Sequence, residues 1–172
     1  MTMSKELAAA FNDQINLEFA SSFAYLAMAA WCEDADLVGF GQWLRAQAAE
    51  EHGHAMKFFE FLIDRDVRVR LQPLDAPQSD FTSPLHVMES ALAHEQRVTA
   101  AIGNLYAMAN AEQDFASLPL LNWFVSEQVE EEATVRQIVA ELKMVGDDSS
   151  ALLLLDRDMA TRRGDEDEDD DD

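Results

Sequence analysis

Four stretches of this sequence carry apolar residues at helical spacing, and each apolar stripe is interrupted near its middle by a carboxylate. They span roughly 5–33, 36–65, 84–111 and 118–145. In the first, Phe11, Ile15, Glu18, Ser22, Tyr25 and Ala29 share a face. In the second, the same face carries Phe40, Leu44, Gln47, Glu51, His54, Phe58 and Phe61. The third gives Leu85, Met88, Leu92, Glu95, Val98, Ile102 and Leu105, and the fourth Leu121, Phe124, Gln128, Glu131, Val135, Ile138 and Leu142. A fold that buries these stripes must bury the acids with them, and an unpaired buried charge costs several kcal/mol.

The spacing repeats. Glu18 lies 33 residues before Glu51, which lies three before His54; Glu95 lies 33 before Gln128, which lies three before Glu131. The two halves are offset by 77 residues, and Glu50 and Glu127 keep that offset. This is an internal repeat of two helix pairs. Residues three apart on a helix are neighbours, so each pair can hold one ion. A single glutamate on an apolar stripe is ordinarily an edge residue with its head in water. Four at matched depth call for a common cause. Facing anions must stay protonated or find cations, and oxygen ligands with one imidazole suit iron or manganese. The set matches the di-iron carboxylate pattern of helical bundles, a Glu from each of two helices and Glu-x-x-His from each of the others, with one departure: the second pair reads Gln128-x-x-Glu131.

The connections set the topology. The first two stretches join near Glu33–Asp36, which makes them antiparallel. Residues 66–83, "DVRVRLQPLDAPQSDFTS", are too polar and proline-broken for helix, and a crossover of that length makes helices two and three parallel. Ser83-Pro84 is a helix start and Gly146 a helix stop. A short fifth helix is predicted from about 149 to 160, with Leu152–Leu155 needing an apolar partner. The fold class expected is all-α, a four-helix bundle with a long crossover and a short C-terminal helix. It forms one domain over 1–164, followed by a disordered acidic tail over 165–172.

Composition narrows the partners. The formal net charge is −22, of which the tail "DEDEDDDD" supplies −8, so the rest remains strongly acidic. Phosphate backbones need a basic footprint, so nucleic acid is not an expected partner, and cations are. One cysteine, Cys32, excludes a disulfide framework or a thiolate cluster. The start "MTMSKELAAAFNDQ" has no secretion-signal pattern, and the uncharged run Phe19–Cys32 is too short to span a bilayer. A cytoplasmic protein without membrane contact is expected.

The motifs "QINLEFASSFAYLAM", "AAEEHGHAMKF", "ALAHEQRV" and "FVSEQVEEE", with the crossover "LIDRDVRVRLQPLDAP", resemble the non-haem bacterial ferritins, especially those of actinobacteria, over about 5–160. The resemblance implies a ferritin-like bundle that stores iron in a hollow shell of 24 identical subunits. It also implies a ferroxidase that oxidises Fe(II) to Fe(III) with dioxygen or hydrogen peroxide. Glu18, Glu51 and His54 match the ligands of a first iron, with Glu51 bridging to a second iron completed by Glu95 and Glu131. Glu50, Glu127 and Glu130 match a third iron site that shares Glu131. Tyr25 and Gln128 match residues beside the di-iron centre. Bacterioferritins carry their haem-binding methionine at the position of His52 and a second Glu-x-x-His at 128–131, so no haem is expected here. A haem-containing bacterioferritin-like store and a non-catalytic ferritin-like scaffold are the alternative readings. Glu112 and Asp114 are candidates for an iron entry route.

Overall fold

The computed structural model describes residues 3–162, and among these every regular element is a helix. They are α1 (Lys5–Asp34), α2 (Val38–Asp64), α3 (Pro84–Ala111), α4 (Leu118–Val145) and α5 (Ser149–Met159). The boundaries fall within two residues of those read from the sequence. The expected tail, 165–172, lies outside the described residues.

Local chemistry sets the ends. The Ser4 hydroxyl accepts from Leu7 N at 3.0 Å, the Ser83 hydroxyl from His86 N at 3.0 Å, and Asp148 from Ser150 N and Ala151 N, each satisfying donors that a helix start leaves open. Three helices end alike without glycine. Asp36, Asp66 and Gln113 adopt φ of 60°, 55° and 56°. The residue after each donates back across the last turn: Leu37 N to Cys32 O, Val67 N to Leu62 O and Asp114 N to Ala109 O. These are Schellman closures, and the left-handed residue in each is one that L-residues adopt at a cost.

Two apolar half-cores fill the bundle. The upper one gathers Tyr25, Met28 and Cys32 of α1, Phe40, Trp43 and Leu44 of α2, Val87 and Met88 of α3, and Val135, Ile138 and Leu142 of α4. The lower one gathers Phe11 and Ile15 of α1, Phe58 and Leu62 of α2, Ile102 and Leu105 of α3, and Leu121 and Phe124 of α4. So α1 and α4 run upward while α2 and α3 run downward, which makes α2 and α3 parallel as the crossover length requires. The crossover itself climbs the bundle. Val67 and Val69 pack on the lower half-core and Phe81 joins the upper one. Buried Asn12 holds its lower part, accepting from Arg70 N at 2.5 Å and donating to Ala8 O and Arg68 O. Cys32 is packing material: burial pushes its thiol up to about 12, far from a reactive thiolate.

The fifth helix packs on its own bundle. Leu152 and Leu155 lie against the upper half-core and Met159 is fully buried, while Leu153 and Leu154 are exposed. The partner expected for Leu152–Leu155 is thus supplied within the chain for two of the four. The cap of α2 also comes from α5. Leu37, at the N-cap of α2, offers no side-chain acceptor; instead Asp156 Oδ1 accepts from Phe40 N at 3.0 Å. The two backbones approach so closely that a Cβ on Gly39 would lie 1.7 Å from the Asp156 carbonyl oxygen.

Two outcomes follow. Gln113→Gly relieves a left-handed non-glycine residue on an exposed loop and should raise stability by about 1 kcal/mol, read as a higher denaturation midpoint. Gly39→Ala should displace α5 while leaving the bundle helical, so amide exchange over 149–159 accelerates with little change in total helix content.

Candidate metal centre

The carboxylates lie between the two half-cores. Every helix of the four sends one or more polar side chains into this layer: Glu18 and Glu95 are 0% exposed, Glu51 and Gln128 2%, His54 3%, and Glu50 and Glu131 7%. The inward stripes force this, because residues on either side of each acid are anchored in the apolar clusters above and below.

Two groups of metal-ligating atoms form. One oxygen each of Glu18 and Glu51 and a ring nitrogen of His54 lie within 4.8 Å of one another. A second set with the same closeness unites Glu50, His54, Glu127 and Glu131. That second set rests on an i, i+4 relation in both halves, Glu50 to His54 and Glu127 to Glu131, itself offset by 77 residues. Glu95 belongs to neither group but adjoins both: it raises the proton affinity of Glu51 and of Glu131 through its charge. Glu130 is exposed and stands in neither group. His52 is exposed, its ring centroid 5.4 Å from that of Phe19.

Within the layer, donors are scarce. Glu18 Oε1 accepts from Gln14 Nε2 at 2.8 Å, but Glu18 Oε2 and Glu51 Oε2 are buried and accept no hydrogen bond. The nearest approach of His54 Nδ1 to Glu51 Oε2 is 3.6 Å, too long for one. Such orphaned oxygens are expensive unless protonated or bound to a cation. Burial accordingly pushes Glu18 well above the usual carboxylate range, and the neighbouring Glu51 charge adds to it. Glu51 and Glu131 are raised in the same way, by burial first and by the surrounding carboxylates second. A hard, oxygen-preferring dication satisfies this set, because it supplies the positive charge and occupies the unpaired lone pairs.

Glu95 is oriented differently. Tyr25 Oη donates to its Oε1 at 2.5 Å, and Gln128 Nε2 donates to its Oε2 at 3.2 Å. Burial and the Glu95 charge together push the Tyr25 hydroxyl well above its ordinary value, so it remains a donor. Gln128 Nε2 also lies 3.3 Å from Thr99 Oγ1, which donates in turn to Glu132 at 2.7 Å. The amide thus replaces a ligand with a donor that fixes the opposite carboxylate.

Several participants carry no sequence signal of their own. Gln14 and Gln47 donate to Glu18 and Glu50 from one turn away. His94 lies 2.6 Å from Ser21 Oγ, tying α3 to α1 one residue before Glu95 and three after Glu18, and Arg97 approaches its other nitrogen at 2.9 Å. Burial and Arg97 hold that imidazole down at about 4, so it is neutral at physiological pH. The edges of Trp123 and Phe124 wall His54, each with its ring centroid 5.5 Å away. Asp114 is taken up structurally. Burial would raise its carboxyl, but bonds from Arg65 at 2.8 Å and Ser117 at 2.6 Å outweigh that and hold it below the usual range.

Known proteins share both sequence and shape. A model of the ferritin-like domain matches residues 8–145. A bacterial non-heme ferritin of Staphylococcus saprophyticus is 41% identical over 166 residues, covering 96% of this chain and 99% of that one. A second, from Staphylococcus haemolyticus, is 40% identical over 164 residues, covering 95% and 99%. The open pore ferritin of the hyperthermophilic archaeon Archaeoglobus fulgidus superposes with a TM-score of 0.93 at 42% identity, covering 94% of this chain and all of that one. With the match spanning all four long helices and the carboxylates between them, the chain belongs to the ferritin family.

Proposed function

We propose that this protein stores iron and acts as a ferroxidase, oxidising Fe(II) at a pair of sites in the carboxylate layer and passing Fe(III) to a mineral inside a 24-subunit shell. The observation that carries the reading is the pair of buried, unaccepting oxygens of Glu18 and Glu51 beside His54, a donor set suited to iron as substrate. In this reading Glu18, Glu51 and His54 receive the first Fe(II). Glu51 bridges to the second, which Glu95 and Glu131 complete. Glu50 and Glu127, grouped with Glu131 and His54, form a third position on the way out, and Glu130 extends it at the exposed end.

The chemistry follows from the ligands. Carboxylates favour Fe(III) over Fe(II) because the harder, more highly charged ion gains more from anionic oxygen. Each of two irons gives one electron; dioxygen takes the two electrons and two protons and leaves as hydrogen peroxide. Peroxide can serve as oxidant in the same way, taking two electrons and two protons to give two waters. The protein holds the irons close, keeps bulk water out by the half-cores, and uses Tyr25 and Gln128 to keep Glu95 aimed. Because the second position has the carboxylate of Glu131 where a second histidine would stand, and the amide of Gln128 where a second glutamate would, it holds its iron with oxygen ligands alone, which favours onward transfer.

Glu51→Ala or His54→Ala should lower the initial rate of oxygen-consuming Fe(II) oxidation by about a hundredfold or more, with the shell still assembled. Tyr25→Phe, which frees Glu95 without removing a ligand, should cost about tenfold. Stopped-flow absorbance with an oxygen electrode measures both, and parental rates in the Glu51 or His54 variants would defeat the assignment.

The electrostatics give a pH dependence. Glu18, Glu51 and Glu131 have folded-state values raised above the unfolded carboxylate value, so the metal-free protein keeps protons that its unfolded chain releases. Their contribution to stability is full below the unfolded value of about 4.3 and is lost as pH rises through the raised values. A bound dication must displace those protons, so affinity should rise with pH. Calorimetry with redox-inert Zn(II) in buffers of different ionisation enthalpy should register proton release near neutral pH, and Glu51→Gln should reduce it.

A further inference from the structure

The cations of this acidic chain are distributed unevenly. Eleven Lys and Arg side chains lie among the described residues. Arg45, Arg65, Arg136, Lys143 and Arg162 form ion pairs. Lys57 sits over the Trp123 ring and Arg97 contacts His94. The four left without an ion pair or hydrogen bond among the described residues are Lys5, Arg68, Arg70 and Arg157, and the first three line one cavity of about 470 Å³. That cavity lies between the start of α1 and the lower part of the crossover, and none of its lining residues belongs to the carboxylate layer.

The sequence builds this arrangement. In "Val-Arg-Val-Arg" over 67–70, which lies outside any helix, the valines are half-buried and the arginines exposed. Val67 and Val69 pack on the lower half-core, which sends Arg68 and Arg70 the other way. Buried Asn12, 6% exposed, fixes the segment through the Arg70 amide and the Arg68 carbonyl. Asp13, the one acid among the described lining residues, already accepts from Gln72 at 2.7 Å. Three like charges around one cavity repel each other unless an anion joins them. Most other cations in the chain have found a carboxylate, although acids outnumber bases by nearly three to one.

We propose that this cavity binds a phosphate-bearing small molecule. The phosphate is held by Lys5, Arg68 and Arg70, and an organic body rests on Ala8, Ala9 and Val67. Arginine forks and an ammonium suit phosphate oxygens. The volume exceeds what orthophosphate alone needs and falls in the range of small-ligand sites. The site is independent of the iron chemistry, so each reading can fail without the other.

Calorimetric titration of the assembled full-length protein with adenosine 5′-monophosphate, orthophosphate and uncharged adenosine tests this. The monophosphate should bind, weaken as salt rises, and lose about tenfold or more in affinity in the Arg68→Gln/Arg70→Gln variant. Adenosine should not bind. Tighter binding of the monophosphate than of orthophosphate assigns an organic phosphate; equal binding assigns orthophosphate and still supports the site. Lys5→Gln, an exposed change at the helix start, should weaken binding with the fold untouched, so the outcome does not hinge on the double variant folding. Ferroxidase rates should stay at the parental level in both variants. No binding by either anion, or affinities within about twofold of the parent in both variants, overturns the proposal.

Discussion

Carboxylates placed between two apolar half-cores must be neutralised, and the rest of the structure is arranged around that demand. Buried side-chain amides cannot do it alone: Gln14, Gln47 and Gln128 each donate to one acid, yet an oxygen on Glu18 and another on Glu51 still accept nothing. Burial and mutual repulsion favour the protonated carboxyl in the metal-free chain, raising Glu18, Glu51 and Glu131 above the usual carboxylate range. A dication bound there would replace those protons. The protein is thus held in readiness by its own discomfort: the same desolvation that burdens the empty layer increases its attraction for a dication.

The two halves of the layer are related but not equivalent. One offers an imidazole, the other an amide that has turned its donor toward Glu95. Tyr25 reinforces this from α1. An asymmetric pair of positions is useful for a container, because a product bound equally well at both would stay where it formed. His54 belongs to both ligand groups and is walled by Trp123 and Phe124.

Much of this was legible from residue order. The carboxylate in each stripe, the 33-residue spacing and the 77-residue offset pointed to side chains that the four helices bring into one buried layer, although Glu95 stands in neither ligand group and Glu130 is exposed, and the length of 66–83 required the parallel relation of α2 and α3. The less legible parts depend on distance in space. Gln14 and Gln47 look like ordinary helix polar residues until the carboxylate beside each is known to be buried. His94 reads as an incidental neighbour of Glu95 because its partner, Ser21, lies 73 residues away. Asp114 looks like a free acid at a helix start, yet Arg65 from another loop claims it. The unpaired arginines of the crossover were present in the sequence, but their shared cavity required knowing where α1 begins.

The Asp156 bond to Phe40 N joins the last of the described helices to the first turn of the helix that carries Glu50, Glu51 and His54. Deleting the C-terminal segment would therefore remove more than an appendage. It would uncover the amides at the head of α2 and leave Gly39 facing water, a residue that helices tolerate poorly when nothing needs its smallness. Anyone attaching cargo to this chain should place the junction after Met159 and keep α5 whole.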